Sequence, residues 1–132
     1  MGSAFLDTSA FYALTDRDDN DHESCSSVYR APERRFITHE AILLESFSLI
    51  TKRIHKKAAI DSIGALRASP RVQVVTLTED LLEAAWRTCL RFSDKEWDWI
   101  DSISFEVMRR CRLKEALSLD HHFEQAGFRL LG

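Results

Sequence analysis

The stretch Ala4-Phe5-Leu6-Asp7-Thr8-Ser9 decides the fold of this chain. A short apolar run ends in a carboxylate and two hydroxyl side chains, and a helix-like pattern carrying Phe11, Tyr12 and Leu14 begins directly afterwards. A buried strand that delivers an acid from its C-terminal end into a helix is how open α/β folds build their sites. We therefore expect Asp7 to stand at the edge of a sheet.

Strand-like and helix-like segments alternate along the whole chain. Pro70 and Gly127 lie in the turns before two of the predicted strands, and Thr38 and Thr78 are predicted N-caps. This alternation favours an α/β fold with a mainly parallel sheet covered by helices on both faces. We find no repeat and no linker, so residues 1–132 are expected to form one domain. The predicted strands are 3–6, 35–38, 72–77, 115–119 and 128–131. The first predicted helix is capped by Thr8 or Ser9, and the second follows the acidic stretch 16–23 and ends near residue 29. The others start near residues 39, 56, 79 and 98, and the last ends near 112.

The composition is that of a globular, water-soluble chain. It is 45% hydrophobic and 30% charged, and its net charge of −3 argues against a strongly basic nucleic-acid binder while leaving local patches open. The odd cysteine count and the absence of a CxxC pair among Cys25, Cys89 and Cys111 favour free thiols in a reducing compartment. With no signal-peptide pattern and no membrane span, we expect a cytoplasmic protein that does not contact the membrane.

Three more carboxylates occupy positions from which a site can form. Glu45 falls at the margin of the apolar stripe of its helix, and Asp101 falls within the stripe of the helix that starts near residue 98. Asp120 follows the predicted strand 115–119, as Asp7 follows the first strand. Each acid also has an ordinary structural interpretation, as an N-cap, a turn residue, a solvated side chain or an acid at a helix terminus.

The set of acids is more informative than any one of them. All strand C-termini of a parallel sheet open on one edge, so the four acids are expected to converge there. They would repel one another strongly unless a divalent cation held them, and carboxylates with water are the ligand set of Mg²⁺ or Mn²⁺. Asp98 is either the N-cap of its helix or a fifth acid at this site.

Other polar and aromatic features remain open on sequence alone. His121-His122 has no zinc-motif spacing, and either His122 or Phe123 is expected to pack near the acids. Trp97 and Trp99 are expected in core packing or a dimer surface, with base stacking as the alternative. Two basic clusters form either solvated helix faces or contacts to a phosphate backbone; they are Lys52, Arg53, His55, Lys56 and Lys57, then Arg109, Arg110, Arg112 and Lys114.

The order of these residues resembles the PIN domain. Asp7-Thr8-Ser9 after a strand, Glu45 in a mid-chain helix, Asp101 opening a late helix and the ending Leu119-Asp120-His121-His122-Phe123 carry the resemblance. Small PIN proteins that act as VapC toxins of toxin–antitoxin pairs look similar over essentially the whole chain. The resemblance implies a Rossmann-like three-layer α/β/α sandwich.

The same resemblance implies an activity. It is that of an Mg²⁺- or Mn²⁺-dependent endoribonuclease that hydrolyses RNA phosphodiester bonds with a metal-activated water. By position, Asp7, Glu45, Asp101 and Asp120 become the catalytic, metal-binding acids, and Ser9 and Asp98 become accessory residues. The candidate RNA contacts are Lys52, Arg53, Arg109 and Arg112.

The expected partners are RNA, a small antitoxin protein and a second copy of the chain in a homodimer. The alternatives are a PIN nuclease that processes RNA outside a toxin pair and a non-catalytic interaction module. A phosphate-accepting signalling receiver is disfavoured because the acids are spread along the chain and no predicted strand is followed directly by lysine.

Overall fold

The computed structural model describes residues 2–132 and contains a central sheet of five parallel strands. The strand order is β3-β2-β1-β4-β5, so the first strand of the chain lies in the middle of the sheet. The strands are β1 (Ser3–Leu6), β2 (Arg35–His39), β3 (Val72–Val75), β4 (Glu115–Leu117) and β5 (Arg129–Leu131).

Within residues 2–132, seven helices connect the strands and cover both faces of the sheet. The first four pack together on one face, and α5, α6 and α7 enclose the core on the other face. The helices are α1 (Thr8–Thr15), α2 (His22–Tyr29), α3 (Glu40–Arg53), α4 (Lys56–Ala68), α5 (Glu79–Arg91), α6 (Trp99–Arg110) and α7 (His122–Gln125). The predicted α/β/α sandwich with a parallel sheet is confirmed.

The central strand β1 explains how the two halves of the core are separated. Ala4 and Leu6 point into the core beneath the first four helices, whereas Phe5 points into the core beneath α5 and α6. All three side chains are fully buried. A strand buried on both faces reads as a continuous apolar run rather than an alternating one, and this is the pattern in the sequence before Asp7.

Several element boundaries differ from the sequence prediction. The prediction that Thr38 caps α3 is wrong, because His39 flanks that helix and Thr38 Oγ1 instead donates a 2.9 Å hydrogen bond to the Leu6 carbonyl. Strand β4 ends at Leu117, two residues earlier than predicted, and α6 ends at Arg110. The short helix α7 was not predicted. Its four residues are too few for a helical periodicity to appear in the sequence.

Three further expectations concern capping, cysteines and the membrane. Thr78 does cap α5, since its hydroxyl accepts from the Leu81 N–H at 3.1 Å. The three cysteines are free thiols. None of the helices within residues 2–132 combines the length and the apolar composition that a membrane span requires.

Candidate active site

The site forms at the carboxyl edge of the sheet, where β1 and β4 end side by side. Leu6 pairs with Leu117, and the Asp7 N–H extends this ladder by donating to the Leu117 carbonyl at 3.1 Å. The residues that follow the two strands, Asp7 and Ser118, are therefore neighbours in space although 111 positions separate them in the chain. Parallel pairing thus creates the meeting point that the sequence predicted for Asp7.

A network of two serines holds the Asp7 carboxylate. Ser118 Oγ donates to Asp7 Oδ2 at 2.8 Å, and Ser9 Oγ donates to the same oxygen at 3.0 Å. The serines in turn accept backbone N–H groups, Ser118 from Asp120 at 3.0 Å and Ser9 from Leu119 at 2.9 Å. Burial raises the pKa of Asp7 and the two serine hydrogen bonds oppose that rise. Asp7 does occupy the N-cap position of α1, as its structural interpretation predicts, but its carboxylate makes no capping hydrogen bond to the helix.

Glu45 reaches the site from the second turn of α3. Its Oε1 accepts a 2.5 Å hydrogen bond from Thr8 Oγ1. Thr8 follows Asp7 in the chain, and its side chain is buried. The half-buried Glu45 carboxylate is thereby fixed beside the end of β1. Helical periodicity predicts that Glu45 lies at the margin of the apolar stripe of α3, and from this position its side chain lines the cleft.

Asp98 and Asp101 form a reciprocal capping box at the start of α6. Asp98 Oδ1 accepts from the Asp101 N–H at 2.8 Å, and Asp101 Oδ2 accepts from the Asp98 N–H at 3.1 Å. The N-cap interpretation of Asp98 is confirmed. Burial, with a smaller contribution from the negative charge of Asp98, raises the pKa of Asp101 to about 6. Asp101 therefore serves as a helix-start residue and also remains a poorly solvated carboxylate in the cleft.

His122 brings Asp101 and Asp120 together. Its Nδ1 lies 3.2 Å from Asp101 Oδ2 and 3.3 Å from Asp120 Oδ1. The His122 backbone N–H also donates to Asp120 Oδ1 at 2.9 Å. One ligand atom from each of these three residues lies within 4.8 Å of the others, so the group could hold a metal ion.

One cleft of about 650 Å³ contains all the predicted acids. Asp7, Glu45, Asp101 and Asp120 line it together with the predicted accessory residues Ser9 and Asp98. The structure thus brings together every residue that the sequence analysis named as catalytic or accessory.

The four predicted RNA-contact residues separate into two pairs. Lys52 and Arg53, at the end of α3, line the cleft. Arg109 pairs with Glu106 at 3.1 Å near the far end of α6, and Arg112 lines a different cavity with Ser3 at the amino edge of the sheet. Lys52 and Arg53 therefore lie beside the acids, whereas Arg109 and Arg112 do not.

Sequence reasoning missed the roles of Thr8 and Ser118 and left that of His122 undefined. A signal for Ser118 was present, because a hydroxyl residue interrupts the apolar run two positions before Asp120. No local pattern reveals the role of Thr8, because the bond from its hydroxyl to Glu45 joins residues 37 positions apart. The position of His122 between two acids depends on α7, which sequence periodicity does not reveal.

The donor set fits a divalent cation of the Mg²⁺ or Mn²⁺ type. Carboxylate oxygens dominate the cleft, and within residues 2–132 no lysine or arginine forms an ion pair with any of the four predicted metal-binding acids. Burial is the main cause of the raised pKa values of Asp7 and Asp101, since it disfavours the charged form of both carboxylates. Hard oxygen donors of this kind are the preferred ligands of Mg²⁺ and Mn²⁺.

Known proteins share both the sequence and the fold. A model of the PIN domain matches residues 4–129. The 23S rRNA-specific endonuclease VapC20 of Mycobacterium tuberculosis is 32% identical over 124 residues, which cover 94% of each chain. The crystal structure of VapC20, described as a sarcin–ricin loop cleaving toxin, superposes with a TM-score of 0.88, 31% identity and 95% coverage of both chains.

More distant structures share the fold alone. VapBC2 from Rickettsia felis, bound to a DNA fragment from its promoter, gives a TM-score of 0.69 at 11% identity and covers 98% of this chain and 97% of its own. VapBC-1 from nontypeable Haemophilus influenzae gives 0.66 at 15% identity, with coverages of 98% and 96%. The match to the family model over nearly the whole chain and the identity to VapC20 confirm the resemblance drawn from the site residues: the chain belongs to the PIN domain family.

Proposed function

We propose that this protein is a divalent-metal-dependent endoribonuclease and the toxin of a VapBC-type pair. The observation that carries the proposal is the convergence of Asp7, Glu45, Asp101 and Asp120 in one cleft at the carboxyl edge of the sheet. Membership of the PIN family and the 32% identity to a named endonuclease support the same activity. The four acids are proposed as the catalytic and metal-binding residues.

Each acid has its own support in the fold. Asp101 and Asp120 would supply oxygens from adjacent positions, since both contact His122. Asp7 is held by two serines, and Glu45 by Thr8. When bound, Mg²⁺ or Mn²⁺ supplies Lewis acidity that lowers the pKa of water and stabilises negative charge on a phosphate. Carboxylates fixed in this way would hold the cation without further reorganisation of the site.

Lys52 and Arg53 are proposed to hold the RNA backbone. They lie at the last turn of α3 in the cleft that contains the acids. The Arg53 guanidinium stands over the Tyr12 ring, 5.1 Å from its centroid, which fixes its position. Cations on the wall of an acidic metal site attract phosphates that the acids alone would repel.

The proposed substrate is the sarcin–ricin loop of 23S rRNA. The support is that VapC20, whose names specify this RNA and this loop, aligns with 94% of the present chain. Since VapC20 is described as a toxin, we propose that a small antitoxin neutralises this chain as well, and that both act in the cytoplasm.

A homodimer is proposed from an exposed apolar patch on α5 and α6. Trp86 and Leu90 lie one turn apart on α5 and are 43% and 61% exposed, and the Trp99 ring packs edge-on against Trp86 at 5.1 Å. Patches of large apolar side chains on a soluble domain mark interaction surfaces. Trp97 packs instead against Phe105. Light scattering of the wild type and of Leu90→Glu tests the dimer, because a charge at its interface would dissociate it.

Cleavage of 23S rRNA by the purified protein tests the activity. We expect a discrete cut with Mg²⁺ or Mn²⁺, no cut with EDTA, and at least a hundredfold loss of rate in both Asp7→Asn and Asp101→Asn. The matched control is Asp61→Asn, since Asp61 is an exposed acid on α4 that pairs with Lys57 away from the cleft. Cleavage that persists in EDTA, or equally in all variants, would overturn the proposal.

A further inference from the structure

His122 contributes a nitrogen donor to the proposed metal site, where it lies between Asp101 and Asp120. Its neighbour Phe123 is fully buried and packs against Phe5 and Phe105, with ring centroids 5.8 and 5.2 Å apart. This anchor fixes α7 and leaves the His122 side chain in the cleft, only 16% exposed. The preceding side chain, His121, is 71% exposed and does not line the cleft. The two histidines therefore have different environments despite being adjacent.

The spacing around His122 Nδ1 is that of ligands sharing one ion. In an octahedral site with bonds of about 2.1 Å, adjacent ligand atoms are separated by roughly 3.0 Å. The observed separations of Nδ1 from Asp101 Oδ2 and from Asp120 Oδ1 are 3.2 and 3.3 Å. Two of the three separations thus match those of adjacent ligands around one ion, and one ligand atom from each residue lies within 4.8 Å of the others.

The backbone fixes one edge of this arrangement. Asp120 Oδ1 accepts the His122 N–H at 2.9 Å, so the carboxylate just before α7 is tied to the first residue of that helix. Asp101 is fixed independently by the capping box with Asp98. Hydrogen bonds to the backbone thus hold both carboxylates, and placing ligands before the ion binds lowers the entropic cost of binding.

We propose that His122 coordinates the catalytic cation through Nδ1 and biases the site towards Mn²⁺ over Mg²⁺. This inference rests on the proposed function, because it concerns the same metal site. Mg²⁺ strongly prefers oxygen ligands and retains its waters, whereas Mn²⁺ and the later divalent metals accept imidazole nitrogen more readily. Two carboxylates and one imidazole therefore favour Mn²⁺ over Mg²⁺ more strongly than carboxylates alone do.

Pulsed electron paramagnetic resonance of the Mn²⁺-loaded protein tests the coordination directly. The wild type and His121→Gln should show a ¹⁴N coupling from a bound imidazole, and His122→Gln should lack it. Wild-type protein labelled with [¹⁵N]histidine should show the ¹⁵N coupling instead. The labelled sample needs no substitution, so the test does not depend on how the variant folds.

Calorimetry of the same samples tests the metal preference. Loss of a direct ligand should weaken Mn²⁺ binding by roughly tenfold or more. Mg²⁺ binding should change by less than about threefold, since that ion gains little from imidazole. Equal weakening of both metals in His122→Gln would overturn the proposed bias.

The outcomes separate this inference from the proposed function. Tight Mn²⁺ binding and RNA cleavage by a wild type that shows no histidine nitrogen coupling would overturn the role of His122 and leave the nuclease intact. Failure of the wild type to bind Mn²⁺ or Mg²⁺ at all, together with no metal-dependent cleavage, would overturn both.

Discussion

Ser118 Oγ and Asp7 Oδ2 lie 2.8 Å apart across the boundary between β1 and β4, with the serine as donor. The same hydroxyl accepts the Asp120 N–H at 3.0 Å. One side chain thus connects two of the four acids, and it is itself only 2% exposed. Ser118 thus helps to hold the Asp7 carboxylate in place and opposes the rise in its pKa that burial causes.

Replacing Ser118 by alanine should impair cleavage and shift its pH dependence. Loss of a hydrogen bond to a buried charged group costs about 1.5–3 kcal/mol, so kcat/KM is expected to fall by tenfold or more. The pKa of Asp7 should rise further, and the acidic limb of the pH–rate profile should move to higher pH, because Asp7 must be ionised to hold a cation. Steady-state cleavage of an RNA oligonucleotide between pH 5 and 8 measures both effects.

The matched control for this change is Ser62→Ala on α4. Ser62 Oγ donates to the Ala58 carbonyl of its own helix at 2.6 Å and does not line the cleft. Ser62→Ala should leave the pH dependence of cleavage unchanged. If both alanine variants kept the wild-type rate and profile, Ser118 would be a structural residue only.

Thr8 should act on the reaction through Glu45. Its hydroxyl donates to Glu45 Oε1 at 2.5 Å, and the Thr8 side chain is buried. Thr8→Val keeps the shape but removes the donor, so Glu45 loses its fixed position and kcat is expected to fall by about tenfold, the cost of one charge-assisted hydrogen bond. Thr8→Ser keeps the donor and should retain most of the rate. Equal rates in the two variants would show that the hydroxyl does not position Glu45.

The features predictable from sequence are those governed by local patterns. The apolar run before Asp7 identified the central strand, and the stripe around Asp101 identified α6 as the carrier of a poorly solvated acid. The order of the acids along the chain then sufficed to predict their convergence, because parallel strands all end on one edge.

The features that the sequence did not reveal depend on contacts between distant segments. Ser118 and Asp7 are separated by 111 positions, and Thr8 and Glu45 by 37. The position of His122 depends on the burial of Phe123 against β1 and α6. The separation of Arg109 from Arg53 likewise follows from the direction of α6, which begins at the cleft with Asp101 and carries Arg109 away from it.

The pKa of Asp101 makes the metal-free protein sensitive to pH. Its folded value of about 6 exceeds the ordinary value of 3.8, so between these values the folded state binds more protons than the unfolded state. Stability from this group therefore falls as the pH rises from about 4 to about 6. Asp101→Asn cannot ionise, and its stability relative to wild type in EDTA should increase over this range by at most about 3 kcal/mol.

Urea unfolding of both proteins in EDTA at pH 4.5 and 7.5 measures this difference. The comparison must be between variants at each pH, because burial lowers the pKa of His39 to about 4 and so destabilises both proteins as the pH falls below about 6.5. Excess Mn²⁺ at pH 7.5 should make the wild type more stable than Asp101→Asn, since the ion stabilises only a folded state with an intact site. A pH-independent difference would show that Asp101 titrates alike in the folded and unfolded states.

Arg53 and Arg109 should contribute unequally to RNA binding. Arg53 lines the acidic cleft beside Lys52, whereas Arg109 pairs with Glu106 outside it. In an Asp7→Asn background, which prevents turnover, Arg53→Ala is expected to weaken binding by roughly three- to tenfold and to reduce the slope of log K against log salt by about one. Arg109→Ala should leave the RNA affinity and the salt slope nearly unchanged. Fluorescence anisotropy with a labelled RNA across a salt series measures these values, and equal losses in the two variants would mean that the RNA extends from the cleft along α6 to its far end.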